Sequence, residues 1–401
     1  MVHQTMSNNN ASASSASSKI IPMRLNLLRL VATVAIVGTL VACSTVQRGS
    51  GRSDVSAPLI PPAAPVSSNP APASAGKSRW VPASWDELPG FADDTLYEAW
   101  NAWIKSCERP APAFAPLCRE VRQLSIASGE EQRVWMVARL QPYRIESADG
   151  NPEGLLTGYY EPLFDAARKP GNGFNVPLYG LPAGYGTRRP WFTRQQIDTL
   201  PEAQAALQGR AIAWLRDPLE ALALHIQGSG RLRITEPDGS VRLVRLAFAG
   251  TNDQPYQSVG RWLLDQGLTR DATWPGIRAW LAQNPTRASE LLWANPRYVF
   301  FREEPLSPLD ANFGPRGAQG VPLTPGRSIA VDRQSIPYGT PVWLASTGPQ
   351  VQLQRLVLAQ DTGSAIVGAV RADFFTGWGP EAGDLAGRLK QNLRLWVLWP
   401  R

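Results

Sequence analysis

The apolar positions of this chain change period along its length. Leu96, Trp100, Trp103 and Cys107 fall four, three and four apart, which is one face of a helix. A second helical stretch runs from Glu130 to Leu140. Beyond it the texture turns strand-like. Leu155–Tyr160, Val176–Tyr179, Ala221–Ile226, Leu232–Thr235 and Val241–Ala247 are short runs with Gly, Pro or Asp-Gly between them. Pro237-Asp238-Gly239, between two such runs, predicts a hairpin turn. Helical patterning returns at Ser258–Gln266, ended by Gly267, and over Trp274–Ala294. Strands are then expected at Tyr298–Phe301, Ser328–Val331, Pro341–Ala345, Leu353–Ala359 and Leu393–Leu398, with one helix at Glu381–Lys390. No segment repeats. Many short strands with few helices predict β-barrels rather than a parallel doubly wound sheet.

The first 78 residues follow other rules. From Met23 a short basic start, Met-Arg-Leu-Asn-Leu-Leu-Arg, leads into the apolar stretch Leu30–Val41 and then Ala42-Cys43. That order describes a signal peptide, too short for a stable membrane span. Residues 1–22 are polar and serve no signal-peptide purpose, so translation is expected to start at Met23. Leu40-Val41-Ala42-Cys43 resembles the bacterial lipobox, whose Cys receives a diacylglyceryl group. Ser44 stands where an Asp would mark inner-membrane retention. The resemblance implies a lipoprotein of the outer membrane, facing the periplasm. Residues 44–78 are Ser, Pro and Ala with few apolar anchors, and are expected to be a flexible tether. As a coil, such a segment would span roughly 30–35 Å.

The chain has 401 residues, 43% of them apolar, enough for two or three domains. Its formal charge of +7 includes Lys19, Arg24 and Arg29, ahead of Cys43. Removing them leaves 37 cations against 33 acids, or +4. No basic run is interleaved with aromatics, so nucleic acid is not an expected partner. His3 and His225 are the only histidines, and His3 lies ahead of the signal. One remaining His excludes a multi-His metal site or a Cys/His zinc cluster, and no cofactor is expected. A Ser-His-Asp triad would have to use His225, which sits in an apolar run and reads better as a core or edge residue. Cys107 and Cys118, with ten residues between them in an exported chain, predict a disulfide.

With histidine nearly absent, carboxylates are the acid/base candidates. Asp332 follows Ile329-Ala330-Val331, a place where Asp often serves a turn. Asp361 precedes Thr362-Gly363-Ser364. Asp373 stands in Arg371-Ala372-Asp373-Phe374-Phe375, where aromatics would raise a carboxyl pKa. Asp384 reads as a solvated helix residue. Asp361-Thr362-Gly363 also resembles the aspartic-protease signature, but that chemistry needs two such motifs and the chain has one.

Thr157-Gly158-Tyr159-Tyr160-Glu161-Pro162, Gln227-Gly228-Ser229-Gly230 and Gly250-Thr251-Asn252 with Tyr256, Ser258, Gly260 and Arg261 come in order along the chain. Asn295–Phe301, Val331-Asp332-Arg333, Ile336–Pro341 and the block from Asp361 to Gly387 follow. Together they resemble the membrane-bound lytic murein transglycosylase A family, over about residues 80–401. The C-terminal block resembles the domain named for three aspartates, which fall here on Asp332, Asp361 and Asp373. The resemblance implies a mainly β fold with some helix. A discontinuous double-psi β-barrel, residues 79–164 and 295–401, would carry catalysis. A smaller β-rich insert, 165–294, would bind glycan, with a groove between the two.

The resemblance also implies the reaction. The bond between N-acetylmuramic acid (MurNAc) and N-acetylglucosamine (GlcNAc) is cut without water, leaving a 1,6-anhydro end. Asp373 would be the single acid and base, Asp361 a neighbouring charge that keeps it protonated, and Asp332 a shaping residue. Thr157, Tyr160, Gln227 and Trp378 are the substrate-binding candidates. Peptidoglycan strands are the implied partner, with cell-wall synthases as further candidates. The alternatives are a non-catalytic peptidoglycan-binding lipoprotein and an aspartic-type protease. The family usually carries Gly where this chain has Ser364, a costly change if that backbone needs φ > 0.

Overall fold

The structure, a computed structural model, describes residues 74–75, 77–349 and 351–401. The signal segment, the Cys43 lipid site and nearly all of the expected tether lie outside the described residues. Among the described residues no helix is long and apolar enough to cross a membrane.

Among the described residues fifteen strands form two sheets. In chain order they are β1 (Ser74–Ala75), β2 (Ser78–Pro82), β3 (Leu140–Ser147), β4 (Gly154–Glu161), β5 (Leu163–Ala167), β6 (Val176–Tyr179), β7 (Ala211–Leu215), β8 (Gly230–Thr235), β9 (Val241–Thr251) and β10 (Val299–Pro305). The C-terminal part adds β11 (Ser328–Val331), β12 (Pro341–Thr347), β13 (Gln352–Asp361), β14 (Arg371–Trp378) and β15 (Lys390–Pro400). The first sheet runs β1-β2-β3-β15-β12-β13-β11-β14-β4, and β4 also pairs with β15. That last pairing closes a six-stranded barrel, because the long β15 gives Lys390–Leu393 to β4 and Trp396–Pro400 to β3. Closure removes the exposed edges that an open sheet would leave. The second sheet, β10-β9-β8-β5-β7-β6, is drawn wholly from residues 163–305.

Ten α-helices complete the described residues: α1 (Tyr97–Ser106), α2 (Cys118–Gln123), α3 (Gly129–Arg139), α4 (Arg194–Thr199), α5 (Pro201–Leu207), α6 (Pro218–Gln227), α7 (Val259–Asp265), α8 (Trp274–Gln283), α9 (Ala288–Trp293) and α10 (Gly379–Arg388). Two expectations need correction. Ala221–Ile226 is helix, not strand. Asp217 caps it by accepting from the Leu219 N–H, Pro218 opens it, and Gly228 closes it at φ 78°. Those end signals outweigh the β-like look of a short apolar run. The expected helix over Trp274–Ala294 is broken at Pro285, whose ring cannot continue α8, and resumes as α9. The hairpin at Asp238-Gly239 joins β8 to β9, with Thr235 opposite Val241.

Burial explains the tryptophans. Trp100, Trp103 and Trp135 pack mutually at 5.2–5.6 Å between α1 and α3. Trp343 and Trp396 lie opposite each other on β12 and β15, and both are fully buried. Cys107 and Cys118 are joined by a disulfide beside this core. Glu161, at the end of β4, is fully buried and bonds Arg231 of β8 and Arg245 of β9, each at 2.6 Å. Both arginines also donate to the Phe313 carbonyl. This ion cluster ties the barrel to the second sheet.

Candidate active site

Three adjacent strands align the carboxylates. Ala330 of β11 is the register partner of Asp361 on β13 and of Asp373 on β14. Asp373 is in turn opposite Thr157 on β4. Directly opposed residues point to one face of a sheet, so the two Asp and the Thr share a face, with small Ala330 between the acids. Two strand spacings put their backbones roughly 10 Å apart.

Thr157 Oγ1 donates to Asp373 Oδ1 at 2.5 Å. Arg371 Nη2 donates to the same Thr157 oxygen at 2.8 Å, which holds a cation beside Asp373. Burial raises the Asp373 carboxyl above its ordinary range, and the Thr157 bond and Arg371 charge only partly reverse that. Asp361 is pushed up to about 6, first by burial and further by the charge of Asp373. Opposing donors are the Thr362 and Ala318 N–H groups and the Tyr159 hydroxyl, which reaches Oδ2 at 3.0 Å. Burial is the first cause of the rise at both acids, and the like charges of the pair act in the same direction. Tyr159 is driven well above its ordinary pKa by burial and the two acids, so it stays a donor.

Asp332 does a different job. It accepts from the Gln334 and Gly368 N–H groups at 3.0 Å each and pairs with Lys77 at 3.5 Å. Burial raises its pKa, but those partners prevail and hold it below the ordinary range. Thr362 Oγ1 donates to the Val331 carbonyl. The loop 362–368 is therefore fastened at both ends to the exit of β11. Among the described residues the non-glycine positions with positive φ are Leu96, Asn172 and Asp253. Ser364 is not one of them, so it brings no left-handed strain.

A cavity of about 610 Å³ opens beside these acids. Tyr159, Asp361 and Thr362–Ser364 line its barrel side, and Gln227–Ser229, Phe248 and Arg297 line the side of the second sheet. Of the predicted binding residues, Gln227 lines this groove and accepts from the Tyr160 N–H at 3.1 Å. Asp373, Thr157, Tyr160 and Trp378 are not among its lining residues. Tyr160 packs its ring on Gly383 of α10. Trp378 carries the Arg231 guanidinium over its ring at 4.2 Å. Sequence reasoning singled out Tyr160 and passed over Tyr159. Strand alternation could have decided between them, because only Tyr159 lies two residues from Thr157 and shares its face. It also missed Phe248, nearly half exposed in the groove wall. Nothing in the strand pattern separates Phe248 from its neighbours.

His225 is buried on α6, and its Nδ1 lies 2.9 Å from Arg194 Nη2. Arginine can only donate, so Nδ1 accepts. Burial, then the Arg194 charge, hold the ring far below its ordinary pKa and therefore neutral. A cation occupies the place where a triad would need a carboxylate.

The family described as MltA specific insert domain matches residues 155–302, and the 3D domain matches residues 327–399. The membrane-bound lytic murein transglycosylase A of Vibrio cholerae is 30% identical over 305 residues, which cover 72% of this chain and 76% of that protein. The Escherichia coli K12 protein of the same name is 32% identical over 284 residues, covering 68% and 73%.

The chain belongs to the membrane-bound lytic murein transglycosylase A family.

Solved structures agree. MltA of Neisseria gonorrhoeae superposes with a TM-score of 0.68 at 30% identity, covering 80% of this chain and 93% of that one. The lytic transglycosylase LtgG of Burkholderia pseudomallei gives 0.56 at 44% identity, covering 80% and 95%. Escherichia coli MltA with bound chitohexaose gives 0.63 at 25% identity, covering 77% and 90%. In MltA terms the closed sheet is the discontinuous double-psi β-barrel and the second sheet is the smaller insert, with the groove between them.

Proposed function

We propose that Asp373 is the acid and base with which this lytic murein transglycosylase cuts the MurNAc–GlcNAc β-1,4 bond of peptidoglycan. The observation that carries the assignment is the setting of Asp373. Its pKa is raised by burial, Thr157 holds Oδ1, and Oδ2 has no hydrogen-bond partner among the described residues. A raised carboxyl keeps the proton that a general acid must deliver near neutral pH. Asp373 gives that proton to the glycosidic oxygen as its bond to the muramyl C1 breaks. The muramyl C6 hydroxyl attacks C1 and returns a proton to the Asp373 carboxylate, closing the 1,6-anhydro ring. No water is consumed. The nucleophile sits on the substrate, so proximity replaces the second carboxyl of ordinary glycosidases.

Asp361 is assigned as the neighbouring acid that shapes the field around the sugar, and Asp332 as the anchor of loop 362–368. Gln227 supplies an amide to the glycan, with Thr157, Tyr160 and Trp378 supporting the groove walls. The catalytic domain is assigned to 79–164 joined with the C-terminal part, and the segment between them to glycan binding. Cys43 is assigned as the acylated residue of an outer-membrane lipoprotein facing the periplasm, and cell-wall synthases as protein partners.

Purified sacculi incubated with the protein, followed by mass spectrometry of released muropeptides, test this reading. Anhydro ends are expected. Hydrated reducing ends would instead mean hydrolysis, no release would mean a binding protein, and cut peptides would mean a protease.

A further inference from the structure

The groove is charged unevenly. Arg109, Arg297, Arg302 and Arg316 line it, against Asp361 as the one lining carboxylate among the described residues. Arg302 is neutralised by Glu304 at 2.7 Å. Arg297 is half-buried and donates to the Gln254 carbonyl at 3.4 Å. Arg109 and Arg316 converge on one residue. Arg316 Nη1 donates to the Gly320 carbonyl at 3.0 Å. Arg109 packs over the other side, where a Cβ on Gly320 would lie 2.5 Å from Nη1. Neither has a carboxylate within 4.0 Å among the described residues. Both guanidiniums therefore face the Gly320 corner, where an anion would accept from each of them.

We propose that Arg109 and Arg316 form a carboxylate-binding site at the Gly320 corner of the groove, which takes a carboxylate of the substituent on the muramyl lactyl ether, either the stem peptide's or the free lactyl acid. This rests on peptidoglycan as the substrate. Two sources present that chemistry. A peptide-bearing strand offers the carboxylates of its stem peptide. A strand stripped by an amidase offers the lactyl carboxylate itself. A guanidinium fits either, because its forked N–H groups match two carboxylate oxygens. Arg109 is exposed and Arg316 is exposed, so the site answers to salt. Gly320 is open to Arg109 only because it lacks a side chain.

The test compares the full-length protein with an Arg109→Gln/Arg316→Gln double variant on three ligands: peptide-bearing strands, amidase-stripped strands, and chitohexaose, which carries no carboxylate. Loss of the site is expected to raise KM on a carboxylate-bearing strand on the order of ten-fold, with kcat within about two-fold and chitohexaose binding unchanged. A rise confined to peptide-bearing strands identifies the stem peptide, and a rise on stripped strands identifies the lactyl group. Unchanged KM on both strands, or an equal loss of chitohexaose binding, would overturn the proposal. Absence of anhydro products from the unmodified protein would overturn the transglycosylase reading instead. In that case direct binding of stripped strands against chitohexaose still reads the two arginines.

Discussion

Asp361 and Asp373 are both register partners of Ala330, one from each side of β11. The arrangement sets two acids on one face of a closed barrel, joined by nothing larger than a methyl group. Their surroundings separate them. Asp373 is tied to Thr157 and a nearby cation, whereas Asp361 is tied to backbone N–H groups and a tyrosine. That difference underlies the first two predictions.

Asp373→Asn removes the transferable proton while keeping the Thr157 contact within reach. Release of anhydro-muropeptides from sacculi is expected to fall by roughly a hundred- to ten-thousand-fold, the range for loss of a general acid. Circular dichroism and chitohexaose binding should stay near those of the unmodified protein. Retained turnover would remove Asp373 from the mechanism.

The pH dependence of stability follows from Asp361. Its carboxyl is lifted from 3.8 to about 6 in the fold, so the folded state binds more protons than the unfolded chain between those values. Stability from this group is present below about pH 4 and is lost as pH rises through about 6. Asp361→Asn should flatten this component of a denaturation series between pH 4 and 7. Tyr159→Phe removes a donor to the carboxylate and should move the Asp361 titration further up, read from its carboxyl carbon by NMR.

Glu161 is the buried anion between Arg231 and Arg245. Glu161→Gln keeps the shape but leaves two buried guanidiniums without a counter-charge. A loss of about 3–5 kcal/mol is expected in urea unfolding. If the second sheet unfolds ahead of the barrel in this variant, the cluster is the joint between them.

Asp332→Ala frees the Gly368 N–H and releases one end of loop 362–368. Hydrogen exchange in that loop should rise and turnover should fall, while Tm moves by only a few degrees. Unchanged exchange there would mean the Thr362 tie is sufficient.

Breaking the disulfide reopens a loop of 11 residues' separation. The entropy released to the unfolded chain corresponds to about 3 kcal/mol. Urea unfolding with and without reductant measures it.

Much of this protein was readable from local pattern. The spacing of Leu96, Trp100 and Trp103 specified α1, the turn at Asp238-Gly239 specified a hairpin, and the ordered motifs specified the family. Those signals lie within a few residues of one another, where helix period, strand alternation and turn chemistry act directly. The run Ala221–Ile226 misled because a few apolar residues fit either period, and only the capping residues around it decide.

What the tertiary structure alone decided is who meets whom. Thr157 and Asp373 are 216 residues apart in sequence and 2.5 Å apart in space. That contact exists because β4 pairs in parallel with β14, and β15 closes the ring. Local periodicity carries no information about such pairing. The register of distant strands is set by burying many side chains at once, and it determines which acid is lifted, which tyrosine faces it and where the arginines gather.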